Sequence, residues 1–65
     1  MELKVNGKAM EISAGTVQEL LAELGIEPTV VAVERNLQIV PISVRESVDL
    51  REGDQIEIIQ LVGGG

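Results

Sequence analysis

The chain has 65 residues with eleven acidic and five basic side chains, a formal net charge of −6, and contains no Cys, His, Phe, Tyr or Trp. Without Cys or His there are no disulfides, thiolate nucleophiles, zinc–thiolate sites or imidazole bases, and the acidic balance without stacking aromatics argues against nucleic acid. Hydrophobic residues make up 45% of the chain, nearly all aliphatic, enough for one small core and too many for a disordered segment.

Apolar runs are only a few residues long, far short of a membrane span, and Met1-Glu2-Leu3-Lys4 has no signal-peptide character, so a soluble cytoplasmic domain is expected. Residues 2–5 and 8–12 alternate around Asn6-Gly7, the strongest short hairpin signal. A two-residue loop there sets Val5 against Lys8, Leu3 against Met10 and Met1 against Ile12. Leu3, Val5, Met10 and Ile12 then share one face, with Glu2, Lys4, Ala9 and Glu11 on the other. Thr16-Val17-Gln18-Glu19 has the form of a capping box, with Thr16 as N-cap and Glu19 reaching back to it. Val17, Leu20, Leu21 and Leu24 make one helical stripe, Gly25 supplies a left-handed stop and Pro28 blocks continuation. Glu19, Glu23 and Glu27 read as a solvated face and not as metal ligands, since no His accompanies them.

Residues 30–33 read as a buried strand, Arg35-Asn36 as a turn, and residues 37–40 as a short strand that Pro41 ends or leaves on an edge. Ser43 to Glu46 has capping-box form over a single turn, and Glu52-Gly53-Asp54 is a second turn. The last strand covers residues 55–61, with Ile56 and Ile58 on one face and Ile59 and Leu61 on the other. Apolar residues on both faces suggest a central strand. The order hairpin, helix, strand pair, final strand resembles the β-grasp arrangement, with the last strand parallel to the first in mid-sheet. One helix covers only one sheet face. Ile59, Leu61 and Val62 are therefore expected on a bare face, as a docking surface.

That strand runs directly into Gly63-Gly64-Gly65. Three glycines add neither core nor side-chain chemistry, and a tail without Cβ atoms can thread a narrow channel. Ser13, Ser43 and Ser47 lack a base and no carboxylate pair sits in an apolar pocket, so autonomous catalysis is not expected. The remaining reactive group is the α-carboxylate of Gly65. A free carboxylate is a poor acyl donor until it is coupled to a nucleotide phosphate inside a water-excluding site. Four extended residues span roughly 13–14 Å, enough to enter such a site while the body stays outside.

The tail Val62-Gly63-Gly64-Gly65 after residues 56–59, the turn Glu52-Gly53-Asp54, residues 31–36 with Ile39-Val40-Pro41, and Asn6-Gly7 together resemble the ThiS family of sulfur carriers in thiamine (thiazole) biosynthesis. The resemblance implies an α+β, ubiquitin-like β-grasp body over residues 1–62, with a mixed four- to five-stranded sheet and one main helix, and a flexible tail over residues 63–65. It implies that Gly65 is adenylated with ATP by a ThiF-type enzyme and converted to a thiocarboxylate with sulfur from a donor such as a cysteine desulfurase. Sulfur then passes to thiazole synthase (ThiG). Gly63 and Gly64 would thread into partner sites, with no cofactor bound to the chain itself. Leu37 stands where the family often has a small or polar turn residue, Ile42 where a basic residue often follows the proline, and Leu61 where an aromatic is common. A sulfur carrier for molybdopterin, cysteine or tRNA thiolation, and a ubiquitin-like protein modifier, share the Gly65 chemistry and remain open as alternatives.

Overall fold

The computed structural model describes residues 1–61. Asn6 and Gly7 turn the chain with φ of +52° and +81°, the two positive values a type I′ turn needs. The turn sets β1 (Glu2–Val5) antiparallel to β2 (Lys8–Glu11), with Leu3 opposite Met10 and Val5 opposite Lys8, as the two-residue loop requires. Reciprocal backbone bonds between Met1 and Ile12 add a further pair. Leu3, Val5 and Ile12 are buried and Met10 half-buried, while Glu2, Lys4, Ala9 and Glu11 are exposed.

Helix α1 (Val17–Glu23) starts at Thr16, whose hydroxyl accepts the Glu19 amide at 3.2 Å. The expected reciprocal bond is displaced by one residue, because the Glu19 carboxylate accepts from the Gly15 amide at 2.8 Å and not from Thr16. The three glutamates are also more than a solvated face. Glu23 accepts from the Ser13 and Ala14 amides at 3.1 and 2.8 Å, and Glu27 from the Thr29 amide at 3.4 Å. Chain entering a helix carries amides without helical partners, and these exposed carboxylates supply the missing acceptors. The helix closes in a Schellman motif: the amides of Gly25 (φ +69°) and Ile26 donate to the carbonyls of Ala22 and Leu21.

A 3₁₀ turn (Pro28–Val30) leads to β3 (Val31–Arg35), so Val30 lies in the turn and not in the strand. Arg35 is the last residue of β3, and the reversal is made by Asn36 and Leu37, with φ of +51° and +71°. The following strand, β4 (Gln38–Ile39), is shorter than expected and lies on the sheet edge. The second capping box does not form. Pro41 precedes a 3₁₀ turn (Ile42–Val44) with no side-chain cap, which places Ser43 inside the turn and leaves its hydroxyl no cap position. Gly53 (φ +83°) serves the turn into β5 (Gln55–Gln60).

The five strands form one mixed sheet in the order β2-β1-β5-β3-β4, with β5 parallel to β1 and antiparallel to β3. The last strand is therefore central, as its two apolar faces suggest. Leu3, Val5, Val31, Val33 and Ile56 meet Val17, Leu20 and Leu21 of α1 in an all-aliphatic core. Each fully buried aliphatic side chain contributes roughly 1.5–3 kcal/mol relative to exposure. The sequence pattern gave no sign of a buried cation beside this core. Arg45 is buried, and its guanidinium donates to the carbonyls of Pro28 and Val31, both at 2.8 Å. Among the described residues no helix is long and apolar enough to cross a membrane.

Candidate functional site

Contacts on both flanks hold β5, the strand that precedes the glycine tail in sequence. Asp54, immediately before the strand, is buried and accepts from Arg35 Nε at 2.7 Å, Asn36 Nδ2 at 3.0 Å and the Arg51 amide at 2.8 Å. Burial alone would raise its carboxyl, but these hydrogen bonds, led by those from Asn36 and Arg35, outweigh burial and hold it below the ordinary value of 3.8. Asn36 also accepts the Gln55 amide through Oδ1 at 3.0 Å. On the other flank β1 pairs with β5 only as far as Ile56. There the Asn6 side chain replaces the missing backbone, its Oδ1 accepting the Ile58 amide at 2.7 Å and its Nδ2 donating to the Ile58 carbonyl at 3.3 Å. Two asparagines in left-handed turns thus clamp opposite sides of the same strand. Beyond Gln60 the Leu61 amide donates to the Val30 carbonyl at 2.8 Å.

The face of the sheet away from α1 changes character along β5. Gln55 and Glu57 present polar groups, whereas Ile59 and Leu61 are 45% and 52% exposed. Ala32 lies opposite Ile59, and a groove of about 160 Å³ between strands is lined by Ala32, Ile39, Pro41, Ile42 and Leu61, with Arg45 at its wall. Among the described residues the large exposed hydrophobic ones all lie between Val30 and Leu61, and none lies on β1, β2 or α1. The structure therefore brings Ile59 and Leu61 together at the root of the tail. Val62, Gly63, Gly64 and Gly65, and with them the boundary expected at residue 62, lie outside the described residues. No cluster of three or more metal-binding side chains occurs among the described residues.

The model of the ThiS family matches residues 3–65. The chain belongs to the ThiS family. It is 42% identical over 65 residues to the sulfur carrier protein ThiS of Bacillus subtilis, covering 97% of this chain and 98% of that protein. It is 48% identical over 66 residues to a thiazole synthase of Paramagnetospirillum magneticum, a match that covers the whole of this chain but spans only 20% of the thiazole synthase. The crystal structure of the thiamine biosynthesis protein ThiS from Geobacter metallireducens superposes with a TM-score of 0.87 at 30% identity, with full coverage of both chains. The fold is the ubiquitin-like β-grasp of that ThiS structure.

Two of the stretches that carry the ThiS resemblance, residues 31–36 and the turn Glu52-Gly53-Asp54, form one physical unit. Arg35 and Asn36 come from the turn side of β3 and Asp54 from the turn before β5, and all three meet at the strand that carries the tail. Sequence pattern had assigned Asp54 only to a turn. A charged residue directly before a central strand was the available signal for its burial.

Proposed function

We propose that this chain is a sulfur carrier for thiazole formation in thiamine biosynthesis, and that its reactive group is the α-carboxylate of Gly65. The observation that carries the reading is the ThiS match, which runs through the glycine tail, on a body whose central strand ends at an exposed apolar face. A carboxylate oxygen attacks the α-phosphorus of ATP within a ThiF-type adenylating enzyme, and pyrophosphate leaves. Sulfide, released by a thiol reductant from the persulfide of a donor such as a cysteine desulfurase, then attacks the acyl-adenylate carbonyl. AMP departs with its electron pair and one of the original carboxylate oxygens, and a thiocarboxylate remains. Thiazole synthase consumes the sulfur and returns the carboxylate. The chain is thus a protein co-substrate of enzymes that bring the ATP, and binds no cofactor of its own.

The body's part is positional. Gly63 and Gly64 pass where a Cβ would obstruct, and Ile59, Leu61 and Val62 dock the carrier at the channel mouth. Holding the tail root rigid lowers the entropy lost on engagement. The test is intact mass after incubation with ATP, the adenylating enzyme and a sulfur donor. The expected product is heavier by the difference between sulfur and oxygen, and does not form when Gly65 is deleted. An unchanged mass with all partners active overturns the carrier reading. Linkage to lysines of larger proteins as the end product would favour a protein modifier instead.

A further inference from the structure

The turn between β3 and β4 contains a residue that its backbone does not favour. The first hairpin fills its two positive-φ positions with Asn6 and Gly7, whereas the second uses Asn36 and Leu37. A left-handed conformation is strained for a branched side chain, and Leu37 recovers nothing from burial, being 84% exposed. Ile39 and Ile42, which follow it, are 67% and 62% exposed, and both line the groove that Leu61 borders. Leu37 lies two residues before Ile39, about 7 Å along the chain. Strain combined with exposure gives Leu37 no folding role, and a contiguous apolar surface reaching the tail root points to a partner.

We propose that Leu37, Ile39 and Ile42 form an apolar ridge that extends the docking face at Ile59 and Leu61 and grips thiazole synthase. The proposal rests on the sulfur-carrier reading above. The occupant follows from three observations. Two members of the ridge, Ile39 and Ile42, line the same groove as Leu61, the last described residue before the glycine tail. The thiazole synthase relative carries a region matching this whole chain within its own length. Glu34, opposite Ile39, lies beside Glu57 on the neighbouring strand. An apolar depression rimmed by Arg or Lys is therefore the complementary surface, and the net charge of −6 steers encounter in the same sense.

The experiment is calorimetric titration of thiazole synthase from the same organism with the full chain, its Leu37→Gly and Ile42→Lys variants, and an Ile59→Asp control. Glycine fits the +71° position, so Leu37→Gly should melt at or above the parent temperature while binding about tenfold or more weakly. Ile42→Lys should weaken binding to a similar degree and, by adding a cation against a basic rim, weaken it most at low salt. Parent-like affinity of both variants, with Ile59→Asp impaired, overturns the ridge and leaves the carrier reading intact. Loss of binding only to the adenylating enzyme overturns thiazole synthase as the occupant. Absence of binding by the parent chain overturns the ridge, while its intact-mass assay reports separately on the carrier chemistry.

Discussion

Arg35 Nε donates to Asp54 Oδ2 at 2.7 Å across the turn that opens the central strand. The pair is one edge of a network in which Asp54 accepts three further hydrogen bonds, from Arg35 Nη2, Asn36 Nδ2 and the Arg51 amide. With Asp54 buried and Arg35 half-buried, removal of one partner leaves polar groups poorly solvated.

Asp54→Asn is expected to lower stability by about 2–3 kcal/mol. That is a large share for a domain of this size, whose total is roughly 0.05–0.15 kcal/mol per residue. The pH dependence has a definite sign. Folding holds the Asp54 carboxyl below 3.8, so its stabilisation is complete above the unfolded-chain value and is lost as pH falls through the lower folded value. Urea denaturation from pH 7 into acid should therefore show the parent losing its advantage over Asp54→Asn as pH drops below about 4. A constant gap between the two curves would show that the ionised carboxylate is not the stabilising group.

Asn6 performs as a piece of backbone. Its amide side chain makes the two bonds to Ile58 that a longer β1 would have made, in a left-handed turn that asparagine tolerates. Asn6→Gly keeps the turn and removes the splint, and is expected to cost about 1–2 kcal/mol. Asn6→Ala adds left-handed strain and is expected to cost about 1 kcal/mol more. Hydrogen exchange at the Ile58 amide should accelerate in both variants beyond the global change, and an unaltered Ile58 relative to Val33 would refute the splint.

Local chemistry accounts for the parts of this fold that were legible from sequence. Asn6-Gly7, the Leu20/Leu21 stripe, Gly25 and the doubly apolar β5 each specify one geometry, and the structure has each of them. What escaped was long-range. The Glu23 carboxylate binds amides at Ser13 and Ala14, and Arg45 spans two carbonyls from another segment. An exposed-type residue gives no sequence sign of the backbone groups that folding brings to it. On the exposed apolar face, Ile59 and Leu61 were legible, while Ile39 and Ile42 were not, because a two-residue edge strand has too little periodicity to assign a face.

Arg45 offers a test of a buried cation with no acidic partner among the described residues. Two guanidinium nitrogens donate to the Pro28 and Val31 carbonyls, and Nε has no hydrogen-bond partner among the described residues. Arg45→Ala removes the side chain, opens a cavity and orphans both carbonyls, and is expected to cost about 3 kcal/mol or more. Arg45→Lys keeps the charge but lacks the planar fork that reaches two acceptors, so it should recover less than half of that loss. Thermal or urea melts of the three proteins decide the point. Full rescue by Lys would mean that charge, and not the paired geometry, is what the site requires.

The proposed docking face makes the last prediction. Ile59 and Leu61 lie on the sheet face that α1 does not cover, at the end of β5 nearest the tail. Burial of their side chains is incomplete, so Ile59→Asp or Leu61→Asp should change stability by no more than about 1 kcal/mol, the range of strand propensity. At an interface the same change buries an unpaired charge where water is excluded. Partner engagement should fall about tenfold or more. With the adenylating enzyme the expected signature is a raised KM for the carrier at nearly constant kcat, because the reacting carboxylate is untouched once the tail is seated. A lowered kcat at unchanged KM would move the role of these residues from docking to tail alignment, and collapse of the urea midpoint would return them to the core.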